Sequence, residues 1–370
     1  MSIPHVDVKA QYAPLIPQLQ EAFARTLETG RFIFGPEGEA FEREAAALLG
    51  TQEAVSCANG TDALVLVLDA MGIGPGDEVI CPAFTFYATA ESIARRGATP
   101  VFADIDPLTL NLDPDDVASK ITESTRAIMR VHLFGRPAAM DELDKLGVPL
   151  IEDAAQAFGA PGVAEQGTVS TYSFFPTKNL FCLGDGGLVA TSDEELADRV
   201  QMLAFHGSRD KVDFDFVGYN SRLDELQAAI LRVQLPHLDA WADGRRAAAR
   251  HYMAAGLGEL VALPVAVAGC DPAWHLYVVR DEHADELAQA LSAAGIGNKA
   301  YYRTPIHRQP AMSGYRTAVE LPATEEAART HLAIPMSAVL AAEQASEVTA
   351  AVRAGGRGER ATLVSAREGG

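Results

Sequence analysis

Lys178 sits in Ser173-Phe174-Phe175-Pro176-Thr177-Lys178-Asn179, which runs into the glycine turn Gly184-Asp185-Gly186-Gly187. Upstream lies Glu152-Asp153-Ala154-Ala155-Gln156, directly after the apolar run Val148 to Ile151. A lysine, an acid and a hydroxyl in this order suit a pyridoxal phosphate (PLP) site. That cofactor needs an amine for its Schiff base, a carboxylate for its pyridinium nitrogen and donors for its phosphate. Taken alone, Lys178 would be an ordinary exposed lysine, as most lysines are. The fit of several independent pieces to one cofactor decides otherwise.

Asp153 follows a buried strand, where a loop at the carboxyl edge of a sheet begins, and open α/β sheets bind ligands at that edge. A carboxylate there keeps the pyridinium protonated, so the ring can accept electrons from a substrate carbanion. Asp153 would serve equally as a helix N-cap. Gln156 is placed to reach the phenolic oxygen of the ring. Gly60-Thr61-Asp62-Ala63-Leu64 opens a helix, and backbone amides with a hydroxyl at a helix N-terminus form an anion site. Thr61 alone says little, since threonine is a common N-cap. Ser173 is a second candidate phosphate donor. Asn220, in Gly218-Tyr219-Asn220-Ser221-Arg222-Leu223, is a third polar group whose partner spacing does not reveal. Phe86, in Phe84-Thr85-Phe86-Tyr87-Ala88-Thr89, could stack on a pyridine face or could be a plain core aromatic.

The elements that must position these residues alternate. Strand candidates are Ala54 to Cys57, Glu78 to Cys81, Thr99 to Ala103, Ala127 to Val131, Pro149 to Ile151, Thr171 to Phe174 and Leu188 to Ala190. Helical segments, Ala63 to Met71 and Ala88 to Arg95, fall between them. This pattern predicts an α/β fold with a largely parallel sheet and helices on both faces. Continuous apolar runs suit parallel strands buried on both sides. Leu223 to Trp241 reads as one long helix that Pro236 kinks or interrupts. A smaller α+β region follows, with a strand over Trp274 to Arg280 and a helix over Ala284 to Ala294. The predicted division is a large domain over 1–240, a small C-terminal domain over 241–354 and a polar, glycine-rich disordered tail over 355–370.

At 370 residues the chain has room for two domains or one large one, and 48% hydrophobic residues is ordinary for a globular protein. No apolar run reaches the length of a membrane span. The first residues lack the pattern of a secretory signal, and the four cysteines form no Cys-x-x-Cys pair. Reduced thiols in a cytoplasmic protein are expected, with no metal site. The formal net charge of −20 argues against nucleic acid or anionic membrane as partners, because both need a basic footprint. A small anionic substrate is still possible in a locally positive pocket.

Jointly the motifs resemble the DegT/DnrJ/EryC1/StrS family of sugar aminotransferases, of PLP fold type I. The likeness runs from Asp7 to about Pro310 and includes Gly35-Pro36-Glu37, Gly60 through Leu64, Gly74-Pro75-Gly76-Asp77-Glu78-Val79, Glu152 through Gln156, Ser173 through Asn179 and Gly218 through Ala229. The resemblance implies a large domain with a mainly parallel seven-stranded sheet and a smaller α+β domain. It implies Lys178 as the Schiff-base lysine and proton shuttle, Asp153 as the pyridinium partner and Gln156 as the contact to the phenolic oxygen. Thr61 and Ser173, with Gly60 beside them, become phosphate ligands, and Phe86 the stacking aromatic. Asn220 becomes a phosphate ligand given by a neighbouring subunit, hence a homodimer with shared sites. Tyr302, His307 and Gln309, in Tyr301 through Pro310, resemble the family's sugar-nucleotide segment. Phe181 departs from a usual glycine, and Ala204 from a common arginine; a phenylalanine near the lysine would reshape the pocket wall.

The function this implies is transfer of an amino group from glutamate or glutamine to a keto sugar on a nucleotide diphosphate, passing through pyridoxamine phosphate. The Ser173 to Asn179 segment favours a 3-keto sugar; a 4-keto sugar or an aminocyclitol ketone is the alternative. No arginine can be singled out for the donor's carboxylate, and Arg222 is only a guess. A sugar dehydratase on the same fold is disfavoured, since such relatives typically replace the lysine with histidine. A cysteine desulfurase is disfavoured because Cys270 is the only cysteine in the C-terminal third. A non-catalytic PLP-binding regulator is the non-enzyme alternative, although no basic or helix-turn-helix segment is evident.

Overall fold

The computed structural model describes residues 2–164, 167–267, 269–315 and 320–355. Its main sheet has seven strands: β1 (Glu53–Cys57), β2 (Glu78–Pro82), β3 (Thr99–Ala103), β4 (Thr125–Val131), β5 (Leu150–Asp153), β6 (Val169–Ser173) and β7 (Gly187–Thr191). Their order is β1-β7-β6-β5-β4-β2-β3. The run from β3 to β6 is parallel, as the alternating apolar segments predict. Strand β7 departs from the pattern and is antiparallel to both of its neighbours.

That departure places the site. An antiparallel partner returns the chain to the edge it left. The β6–β7 connection therefore begins and ends at the carboxyl edge of the sheet, with Ser173 opposite Gly187. Lys178 rides on this excursion, which is closed by Phe174 N to Gly186 O (2.8 Å) and Cys182 N to Phe174 O (2.7 Å). Cys57 also faces Gly187, so β1 delivers Gly60 and Thr61 to the same edge. Asp153 is the last residue of β5 itself and arrives there too.

Helices cover both faces. Gly60–Ala70, Ala88–Arg95 and Glu194–Ala204 pack their buried Leu64, Val67, Ile93, Val200 and Leu203 against Val79, Met129, Ile151 and Val189. On the opposite face Pro36–Leu49 and Glu225–Gln234 bury Phe41, Ala45, Ala228 and Leu231 with Tyr172, Phe174 and Leu188. The helices Ile16–Thr29 and Pro36–Leu49 were not among the elements expected from sequence. A third core joins the helices Leu238–Ala254, Ala284–Ala293 and Ala342–Gly355 to an antiparallel pair, β8 (Tyr277–Arg280) and β9 (His331–Ile334).

The single helix expected over Leu223 to Trp241 is instead Glu225–Gln234, a one-turn 3-10 segment Leu235–His237, and Leu238–Ala254. Pro236 lies in that turn; it lacks an N–H for the ladder, and the chain re-starts after it. Leu238 packs beneath the sheet while Tyr252, on the same helix, packs in the C-terminal core. Of the expected tail, Gly355 ends the last helix, and residues 356–370 lie outside the described residues. Among the described residues no helix is long and apolar enough to cross a membrane, and no group of side chains could hold a metal ion.

Candidate functional site

Lys178 and Asp153 meet at the carboxyl edge. The backbone N–H of Lys178 donates to Phe175 O (2.8 Å), closing a turn after the end of β6. Burial pushes the Lys178 ammonium down to about 8, against the opposing pull of the Asp153 carboxylate. Asp153 is buried, and Thr89 Oγ1 donates to its Oδ2 at 2.8 Å. Ala155 N donates to Oδ1 at 3.3 Å. Burial raises the Asp153 acid above its ordinary value, while Thr89, Ala155 and Lys178 hold it down. Thr89 lies in the first turn of Ala88–Arg95, and no sequence signal marked it.

Strand alternation sends Glu152 to the other side of β5 from Asp153. There it accepts from Arg130 Nη2 (2.9 Å), Ala164 N (3.1 Å) and Gly167 N (2.9 Å), and pairs with His132 Nε2 at 2.8 Å. His132 Nδ1 accepts from Ala138 N (3.1 Å), so the proton belongs on Nε2 and the imidazole is the donor to Glu152. Burial works against ionisation of Glu152, but the His132 hydrogen bond, the nearby charges and the Ala164 amide bring it down to about 2. This network is fully buried and anchors the strand whose end carries Asp153.

The anion end is built on the Gly60–Ala70 helix. Its N-cap is Asn59, whose Oδ1 accepts from Asp62 N at 2.8 Å; Thr61 is not the cap, which corrects that reading and leaves its hydroxyl uncommitted to capping. Ser173 abuts Gly60: a Cβ there would fall 2.6 Å from Ser173 Cβ. Glycine at this position thus lets a helix N-terminus and a strand end converge. Asn220 is exposed on an extended segment bridged to Phe205 and lies on the surface of the chain.

Gln156 is buried and held from two sides. Its Oε1 accepts from Phe134 N (2.6 Å), and its Nε2 donates to Tyr302 OH (3.2 Å). Tyr302 stacks on Phe134, with ring centroids 5.8 Å apart and planes 15° apart. Phe86 is not a core aromatic: it is 59% exposed, and Phe84 takes the core position. His307 pairs with Glu325 (2.9 Å), and Gln309 donates to Thr304 O (2.9 Å). The first contact ties His307 to the helix Pro322–Thr330 and the second keeps Gln309 within its own segment, whereas Tyr302 bonds to Gln156 in the Lys178 neighbourhood. Arg222 lies over the Phe34 ring at 5.9 Å. Phe181 is buried, stacks against Trp241 (6.2 Å, 16°) and meets Tyr12 edge-on.

His275 is a further member that sequence reasoning missed. It is buried, its Nδ1 has no hydrogen-bond partner among the described residues, and burial and the charge of Lys178 hold it well below its ordinary value, as a neutral imidazole. It arrives from the C-terminal region through Asn179 Nδ2 to Ala273 O (2.7 Å) and Arg245 Nη1 to His275 O (3.3 Å). Nothing in its spacing links it to Lys178.

The profile of the DegT/DnrJ/EryC1/StrS aminotransferase family matches residues 15–353. The chain is 45% identical to the dTDP-3-amino-3,4,6-trideoxy-alpha-D-glucose transaminase of Streptomyces venezuelae, over 95% of each chain. It is 44% identical to a pleiotropic regulatory protein of Geobacillus stearothermophilus, over 93% of this chain and 96% of that one. The crystal structure of S. venezuelae DesV in complex with a ketimine intermediate superposes with a TM-score of 0.93 at 44% identity, covering 96% of this chain and 99% of that one.

Proposed function

The chain belongs to the DegT/DnrJ/EryC1/StrS aminotransferase family, and from that premise we propose that it moves an amino group from glutamate or glutamine to a keto sugar carried on a nucleotide diphosphate. Carbon 3 is the favoured keto position, in keeping with the 3-amino product in the name of the Streptomyces relative. The observation that carries the proposal is the Lys178–Asp153 pair at the carboxyl edge, a depressed lysine beside a buried carboxylate.

The residues present fit PLP. Gly60, lacking a Cβ, lets Ser173 close against the helix N-terminus, Asp153 offers a buried carboxylate and Lys178 an amine whose titration is brought down to about 8. When bound, PLP supplies the electron sink that stabilises a carbanion at the substrate carbon. Gly60, Thr61 and Ser173 would hold its phosphate, Gln156 its phenolic oxygen, and Phe86 one face of its ring. Lys178 Nζ takes the proton from the donor's α carbon and later returns one to the sugar carbon, in a ping-pong sequence. Thr89 and Ala155 hydrogen-bond the Asp153 carboxylate and, with the charge of Lys178, oppose the rise that burial imposes on it. Tyr302 pins Gln156 and faces the acceptor; His307 and Gln309 extend that wall only if their present contacts open. Asn220 completes the phosphate site of a neighbouring copy, so the working unit is a homodimer. A non-catalytic regulatory role is the second reading, favoured by the name of the Geobacillus relative.

An absorption spectrum separates the two. The purified protein is expected to carry a visible-edge band that moves to shorter wavelength on adding glutamate or glutamine and returns on adding a 3-keto nucleotide sugar. Lys178→Ala is expected to lose repeated turnover altogether. A bound band that no amino donor moves would favour the regulatory reading.

A further inference from the structure

Residues 219–221 form a short extended piece beside the Gly60–Ala70 helix. Tyr219 N donates to Leu203 O (2.7 Å), Ser221 N to Ala204 O (3.0 Å), and Asn220 bridges to Phe205. Successive side chains on such a piece point to opposite sides. Tyr219 and Ser221 both turn inward and bind the same helix at its two ends. Tyr219 OH donates to Asp69 Oδ2 (2.8 Å), receives Arg96 Nη1 (3.0 Å), and Arg96 pairs with Asp69 at 2.7 Å. Ser221 is fully buried; its Oγ donates to Asp62 Oδ2 (2.7 Å) and accepts from Ala58 N (3.1 Å). Asn220, between them, is left facing outward and exposed.

We propose that Tyr219 and Ser221 are positioning residues that hold Asn220 outward as a preset ligand for the phosphate site of a neighbouring copy. The proposal rests on the reading of Asn220 as a ligand acting in trans. Exposed asparagine on a free loop would pay rotamer and backbone entropy each time it engaged a phosphate. Two flanking side chains clamped to one rigid helix remove the backbone part of that cost beforehand. The clamp at Asp69 is especially informative. It lies ~12 Å along the helix from Thr61, at 1.5 Å per residue. On this proposal, an effect of Tyr219 on phosphate binding travels through the 219–221 segment rather than through the distant helix N-terminus of its own chain.

The test compares PLP with pyridoxal, which lacks the phosphate, by spectroscopic titration of the full-length protein stripped of cofactor. The readout is the ratio of the two affinities, which a merely structural loss would lower for both ligands alike. Asn220→Ala is expected to reduce the PLP preference about tenfold, the scale of one hydrogen bond to a charged group. Tyr219→Phe and Ser221→Ala are each expected to reduce it about threefold or more, and neither is expected to reduce it further in the Asn220→Ala background. An unchanged ratio in Tyr219→Phe and Ser221→Ala, with Asn220→Ala still impaired, overturns the positioning role alone. Losses that add to that of Asn220→Ala also overturn it, because they would then arise elsewhere. An unchanged ratio in Asn220→Ala overturns the reading beneath it and the proposal with it.

Discussion

At Lys178 two effects oppose each other, and their balance sets the pH at which the amine is usable. Burial disfavours the ammonium and the Asp153 carboxylate favours it; burial wins, and the group titrates near 8. The rate at which the stripped protein captures PLP should therefore climb with pH and level off above about 8. Asp153→Asn removes the group that raises the lysine, so the midpoint should move to lower pH. Stopped-flow capture of PLP at a series of pH values reads both midpoints, and an upward move in the variant would contradict the pairing. The same shift has a folding consequence whose sign is fixed. The unfolded lysine titrates near 10.5 and the folded one near 8. Between those values the unfolded chain holds a proton that the folded chain lacks, so this group's contribution to stability rises with pH across that window.

Helix ends decide how well the elements hold the site, and the N-terminus of Pro36–Leu49 shows how. Its first amides are satisfied by a side chain from a distant helix. Glu225 is buried, and its carboxylate accepts from Gly35 N (2.9 Å), Glu37 N (2.9 Å) and Gly38 N (2.8 Å). A negative charge at this end also meets the positive pole of the helix. Glu225→Gln would turn an amide N–H toward Glu37 N–H and remove the charge. A loss of about 1–3 kcal/mol follows for a buried charged hydrogen bond, readable as a lower midpoint in urea unfolding at neutral pH. This clasp was invisible in the sequence because its parts come from opposite ends of the large sheet-bearing region. Contacts local in sequence were legible. The seven strands showed as apolar runs, and Lys178, Asp153, Gln156 and Ser173 stood in motifs dense enough to be read together. Thr89 and His275 were not legible, since each reaches the Lys178 neighbourhood only through tertiary packing. The break at Leu235–His237 was half legible: Pro236 announced an interruption, but the re-started helix to Ala254 depends on packing against the C-terminal core.

Across the whole molecule, charge and apolar exposure pull in opposite directions. A formal charge of −20 makes two copies repel at long range. Yet Phe32, Phe34, Phe175 and Phe214 are each exposed by about half, and Val217 by 96%. Large apolar side chains left in water on loops and helix ends suit the association surface that the proposed homodimer requires. Val217 and Phe214 lie on the segment leading to Asn220, so contact between copies there would carry Asn220 toward a neighbour's site. The proposed homodimer should accordingly tighten with added salt, which screens the repulsion while leaving the apolar contact intact. Val217→Asp puts a desolvated charge into that contact and should weaken the dimer by at least tenfold, on the scale of burying an unpaired polar group. Sedimentation velocity over a dilution series, at low and moderate salt, measures both. If the PLP preference over pyridoxal falls in step with dissociation of Val217→Asp, the phosphate site is shared between copies. A Val217→Asp monomer that kept the full preference would mean that each chain holds its phosphate alone.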